Sequence, residues 1–491
     1  MKKIIPILLV LAIFFACNKV QKEQPKENEK KVKEIEYLIK ENLEFSEFFK
    51  NKTMRVDYFH TGNSETEHFA VDKIVSDDAW AGSTTQLIDN LELGLYFFEI
   101  IDQETKTLLY SRGFASIFGE WQLTPEAAEW GTFHESIRFP WPIKPVTVVM
   151  KKRDSKNVFQ TLWTRDIDPD AREVNPAEIT HTEKVDVILE SGPSNEKLDI
   201  VILGDGYSTK EMDKFVSDAK RLGEVLLNAE PFKTRRNDIN VWAVETPAQE
   251  SGVSKPHPGV FKRTPLSAHY SSFDSERYVL SYDNRTIRNV ASAVPYEFMV
   301  ILVNEKTYGG GGIYNLYTTV AVDNKFSDYI MIHEMGHHMA GLADEYYSSS
   351  ISYEAPSIEV EPWETNITAL LDKGNLKWKD LVEEGTPVPT PWNKEEFDKH
   401  GYEIQKERKE LRAAKVDESV VEDLFMRELN KQDEFYAQEQ YRDKVGAFEG
   451  AGYNQYGMYR PQLDCIMFTR HNVFCKVCQR SINDVINQYT K

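Results

Sequence analysis

The residues with the clearest chemical potential lie in HEMGHHMAGLADEY, 333 to 346. On a helix, His333 and His337 stand one turn apart on one face, so both imidazoles can reach a single ion. Glu334 is rotated by about 100° from His333. It can contact a water at that ion without competing as a ligand. A zinc ion lowers the pKa of such a water to about 7, and a nearby carboxylate can take its proton as it attacks a carbonyl. The same carboxylate can then hand the proton to a leaving amine. A hydrolytic zinc site takes three protein ligands and keeps a fourth position open, and no third histidine follows at the usual distance. The candidates for the third ligand are Asp344 and, as a fallback, its neighbour Glu345.

These residues need a helix and a return turn. Phe326, Ile330, Met331 and Met335 recur at helical spacing and supply an apolar face that leads into the motif. Gly341 suits the helix end, because glycine tolerates the left-handed conformation that reverses the chain. Upstream, KLDIVILGDGYS (197 to 208) reads as a buried strand entering a turn. Ser208 and Glu211 then form a capping-box pattern that opens a helix with Phe215, Ala219, Leu222 and Leu226 on one side. Further strands are expected near 238–244 and 298–304, and strand-helix-strand order implies an α/β layer. Neither GDG nor YGGGG (308 to 312) carries the rest of a phosphate-loop or dinucleotide fingerprint. Such a glycine run beside a strand lets another backbone approach closely.

The 491-residue chain carries 79 acidic against 59 basic side chains, a formal charge of -20, which excludes a duplex nucleic-acid binder that needs a basic footprint. Residues 1–17 have the form of a bacterial lipoprotein signal. Lys2 and Lys3 precede an apolar run from Ile4 to Phe15, too short to span a bilayer, and Ala16 precedes the lipidation candidate Cys17. Residues 18–35 are polar and read as a flexible tether. The expected location is therefore a bacterial cell envelope, with membrane attachment through the N-terminal lipid. Residues 36–165 show alternating β-rich runs that predict an all-β sandwich without a defensible catalytic cluster, hence an accessory role. Residues 166–183 look like a linker, and 184–491 form the α/β (α+β) second domain. Its charged stretch at about 392–440 reads as a helical insertion with Val420, Val421, Leu424, Phe425 and Leu429 as a stripe. Cys465, Cys475 and Cys478 lie close together, and export favours a disulfide among them over a structural zinc site completed by His471.

Several ordered segments carry a family resemblance: DIVILGDGYS (199 to 208), PFK…VWAVETPAQESGV (231 to 253), SERYVL (275 to 280), YGGGGIYN (308 to 315), HEMGHHMAGLADEYY (333 to 347) and EGAGYNQYGMYRPQLDCIM (449 to 467). Together they resemble the immunoglobulin A metallopeptidase family (peptidase family M-sixty-four), over about residues 184 to 491. The β-domain resembles that family's N-terminal module. The glycine turn after HExxH and the segment DCIMF, with Met467, are similar to the return turn and the methionine turn of metzincins. Here the glycine and the acidic residue sit one position later than in that pattern. The resemblance implies a secreted, metzincin-like zinc endopeptidase that cleaves protein or peptide substrates with one catalytic Zn2+. It implies His333 and His337 as ligands, Glu334 as general base, Asp344 as third ligand and Met467 beneath the metal. Two alternatives compete with it. One is a gluzincin whose third ligand is Glu354 or Glu361. The other is a surface lipoprotein that binds host protein or glycan, with a purely structural zinc helix.

Overall fold

A computed structural model describes residues 35–40, 43–349 and 355–490. The N-terminal strands are β1 (Phe49–Gly62), β2 (Glu67–Ser76), β3 (Tyr96–Asp102), β4 (Leu108–Phe114), β5 (Gly131–Pro142), β6 (Val146–Arg153), β7 (Phe159–Ile167) and β8 (Val174–Asn175). They form two four-stranded sheets, ordered β5-β1-β2-β8 and β4-β3-β6-β7. Period-two alternation sends Met54, Val56 and Tyr58 of β1 and Ile137 and Phe139 of β5 inward, where they meet Phe98, Ile100, Val148 and Met150 of the other sheet. The intervening residues of β1 are also buried, because its outer face rests on the second domain. There Arg55 donates to Asn289 (2.7 Å) and, from the neighbouring strand, Arg138 donates to the Tyr296 carbonyl (2.9 Å). The segment read as a linker is partly built into this sandwich: β8 pairs in parallel with β2.

The second domain is organised by a six-stranded sheet of β9 (Val185–Leu189), β10 (Leu198–Asp205), β11 (Ile239–Val244), β12 (Phe298–Val303), β13 (Gly310–Ile313) and β14 (Tyr317–Ala321), in the order β13-β14-β12-β10-β11-β9. The four inner strands run parallel, and β9 and β13 are antiparallel edges. Parallel inner strands are covered on both faces, which explains their unbroken apolar runs. The helices Met212–Asn228 and Ser327–Ala340 cover one face, with Phe215, Leu222, Ile330 and Met335 packed on Ile200 and Ile202. The Ser208/Glu211 capping box forms as its spacing suggests.

The other face is covered by the helix Asn284–Ala291 and by the sandwich itself. Phe118, Trp121 and Phe133 join Val201, Leu203, Ile287 and Ile301 in one apolar cluster. The two domains therefore share a core. The charged stretch forms two helices, Lys394–Ala413 and Glu418–Tyr436. Val421, Leu424 and Phe425 are buried there while Val420 points outward. A hairpin of β15 (Phe448–Ala451) and β16 (Asn454–Arg460) and the helix Lys476–Tyr489 complete the chain's described part.

Candidate metal centre and cleft

The helix Ser327–Ala340 carries the histidine motif, and three glycines let it sit where it does. Edge strand β13 lies flat against it: a Cβ on Gly312 would fall 2.2 Å from the Glu334 carbonyl oxygen, and one on Gly310 would strike Ile330. Any side chain there would lift the helix off the sheet. Gly341 ends the helix at φ 57°, and its N–H donates to the His337 carbonyl. From there Leu342 to Tyr346 return under the motif. The turn containing Met467 supports the helix from below. The Met467 sulfur lies 3.0 Å from where a Cβ on Gly336 would stand.

Three ligand-type atoms converge. His333 Nε2 and His337 Nε2 are 3.2 Å apart, and Asp344 Oδ1 lies 3.1 Å from the first and 3.2 Å from the second. Zinc bonds of about 2.0–2.1 Å to N and O ligands imply a tetrahedral edge of about 3.3–3.4 Å, so the triangle has nearly the size of one face of such a site. Protonation agrees. His333 Nδ1 faces the Ile466 carbonyl at 2.9 Å and His337 Nδ1 the Leu342 carbonyl at 2.5 Å, so each Nδ1 carries a proton and each ring turns its Nε2 to the centre. Asp344 Oδ1 is buried against the two histidine Nε2 atoms, while Tyr453 donates to Oδ2 at 2.5 Å and fixes the carboxylate. Acceptors aimed at one point call for a cation. In its absence a proton serves: burial opposes charge on His337, yet Asp344 and Glu334 lift its pKa to about 9. The residues present fit a zinc ion.

Glu334 stands beside the two histidines, with ligand atoms of all three within 4.8 Å. Burial raises its pKa, against the pull of His333 and His337. These residues open into a cleft of about 570 Å3. One wall comes from the sandwich domain, which contributes Glu120, Leu123 and the β6–β7 turn around Asn157. Glu120 accepts a hydrogen bond from Tyr278 at 2.5 Å, and burial pushes its pKa to about 7. The β-domain is thus more than the bystander its sequence suggests. Glu120 and Tyr453 escaped the sequence reading because neither belongs to a local pattern. Only the long-range packing of the two domains and the β15–β16 hairpin brings them to the histidine triangle.

The other singled-out residues fall elsewhere. His338 points away from the cleft towards the Thr318 hydroxyl (3.2 Å). Glu361 accepts from the Thr368 hydroxyl and the Leu371 N–H, away from the histidines' triangle, and Glu354 lies outside the described residues. Cys17 and residues 18–34 also lie outside them. Glu345 does not join His333 and His337; it turns the opposite way from Asp344, towards Cys478. The expected disulfide is absent: Cys465, Cys475 and Cys478 are free thiols, with 3.7 Å between the sulfurs of Cys465 and Cys478. His471 is not beside them but paired with Asp464 at 2.7 Å.

Among the described residues, no helix is long and apolar enough to cross a membrane. No curated protein matches the chain. Two protein families do. The family described as Peptidase M64 N-terminus matches residues 44–164, across the sandwich, and the IgA Peptidase M64 family matches residues 187–486, across the parallel sheet, the histidine helix and the cysteine-bearing C-terminus. With both modules present in order, the chain belongs to the IgA peptidase M64 family.

Proposed function

We propose that this peptidase is a zinc-dependent endopeptidase of metzincin-like architecture, acting on extracellular proteins. The observation that carries the reading is the buried triangle of His333 Nε2, His337 Nε2 and Asp344 Oδ1, with edges of 3.1–3.2 Å. Zinc bound there supplies Lewis acidity, which polarises a scissile carbonyl and makes water acidic enough to deprotonate near neutral pH. Glu334 takes the proton from the attacking water and delivers it to the leaving amine. Tyr453 and the Ile466 and Leu342 carbonyls hold the three ligands in the orientation they need. Glu120, Tyr278 and the Asn157 turn border the path along which an extended substrate enters. The return turn at Gly341 and Met467 under Gly336 support the metzincin-like comparison.

The test is Glu334→Gln in the full chain. Retained zinc with lost cleavage of a peptide library supports the mechanism, and zinc with undiminished cleavage overturns it. The lipoprotein-like N-terminus extends the proposal to a lipid anchor at Cys17 on a bacterial envelope. Palmitate labelling that survives Cys17→Ala would refute that part.

A further inference from the structure

Behind the histidine triangle lies a second group of ligand-type atoms. The thiols of Cys465, Cys475 and Cys478 and the Glu345 carboxylate are all buried and lie within 4.8 Å of one another. We propose that these four residues hold a second, structural zinc ion, separate from the one at His333, His337 and Asp344.

The distances decide between a metal and a disulfide. Zinc–sulfur bonds of about 2.3 Å imply a tetrahedral S···S edge of about 3.8 Å, and a mixed S···O edge of about 3.5 Å. The Cys465 and Cys478 sulfurs are 3.7 Å apart, and Cys478 Sγ lies 3.6 Å from Glu345 Oε1. A disulfide needs about 2.05 Å, and a single bridge among three cysteines leaves an odd thiol facing a buried carboxylate. Glu345 itself argues for a cation. It has no solvent exposure, Asn366 donates to Oε1 at 3.0 Å, and Oε2 has no partner.

Backbone N–H groups are aimed at two of the sulfurs, against the burial that opposes charge on all three thiols. The Cys475 N–H points at Cys465 Sγ (3.3 Å) and the Cys478 N–H at Cys475 Sγ (3.4 Å). Cys475 caps the helix Lys476–Tyr489, whose N-terminal dipole stabilises negative charge. On binding, each thiol releases its proton to solvent. The four-ligand set is closed, with no position for substrate, which marks a structural site. Its value to the fold is connection. It joins the return loop, the methionine turn and the C-terminal helix, reinforcing the bond from the Glu345 N–H to the Met467 carbonyl (2.8 Å). The inference stands whether or not the cleft hydrolyses peptides.

Metal analysis and cobalt spectroscopy of the full chain test it. Two zinc ions per wild-type chain are expected, falling to one in Asp344→Ala and to one in Cys478→Ser. Replacing zinc by cobalt should give a thiolate-to-cobalt charge-transfer band that persists in Asp344→Ala and disappears in Cys478→Ser. Non-reducing peptide maps should show all three cysteines open to alkylation after chelation. A wild-type cobalt protein without that band, or a disulfide linking two of the three, would overturn the proposal. If Cys478→Ser does not fold, the wild-type spectrum and peptide map still decide. The band reports only the sulfur site, so loss of peptidase activity cannot be confused with its failure.

Discussion

Asp344 and Glu345 are chain neighbours that serve opposite sides of one loop. Asp344 faces His333 and His337 at the floor of the cleft, and Glu345 faces three cysteines in the interior. Nitrogen and oxygen ligands beside an open cleft suit a metal that exchanges water and substrate. Sulfur ligands sealed from solvent suit one that stays. A proposed metal ligand on a loop needs rigidity from elsewhere, and the adjacent residue is anchored in the interior where it can supply it.

The comparison breaks most sharply at Glu334. Glu334→Gln should lower kcat by about 10²–10⁴-fold with both metals retained, read by peptide turnover and metal content together. Next is the sealed site. Cys478→Ser should destabilise the chain by about 4 kcal/mol or more, since loss of a structural metal is among the few single changes with so large an effect. Asp344→Ala should remove the cleft metal at far smaller cost in denaturant unfolding. Equal stability of the two variants would erase the distinction drawn here.

A third measurement uses pH. In the metal-free triangle His337 keeps its proton up to about pH 9, because Asp344 and Glu334 outweigh the burial that opposes its charge. Metal must displace that proton, so affinity should rise about tenfold per pH unit up to about 9. The sign for stability is reversed. A folded pKa above the free value of about 6.5 contributes stability at low pH, which the metal-free chain loses between about 6.5 and 9. Calorimetric titration with zinc and chelated-chain unfolding check both.

Gly336→Ala should cost about 1–3 kcal/mol by overpacking, since its Cβ would crowd Met467 and Phe474. The smallest effect belongs to Glu120→Gln. Burial sets Glu120 near pH 7, so the wild type gains a negative charge in the cleft above that pH and the variant does not. The pH profile of kcat/KM should lose an inflection there, worth about fivefold or less.

The histidines and Glu334 were legible because an i,i+4 pair on one helix face is a local pattern. Gly341 was legible because its left-handed turn is local too, and it made Asp344 a candidate. Spacing and the family resemblance rank Asp344 ahead of Glu345, but what each of these adjacent carboxylates faces is visible only in three dimensions. The partner of Glu345 comes from cysteines far along the chain, after two inserted helices. The three cysteines in an export-like chain suggested a bridge, and only tertiary packing supplies the carboxylate that makes them a four-ligand set. Likewise the sandwich was visible as alternating strands, but the doubly buried β1 was not, since its polar outer residues look solvent-facing in sequence.

The shared core of Phe118, Trp121 and Phe133 with Val201 and Leu203 has a consequence for how such a protease changes over time. The wall bearing Glu120 and Asn157 is attached through it, with Asn157 donating to the Glu361 carbonyl at 2.9 Å across the boundary. Substitutions in that wall alter what fits the cleft while leaving His333, His337 and Asp344 untouched. Part of the cleft wall and the histidine triangle thereby belong to separate modules and can diverge at different speeds. The same bond between modules means that the catalytic half, cut away near residue 184, would expose a greasy face and lose one side of its substrate channel.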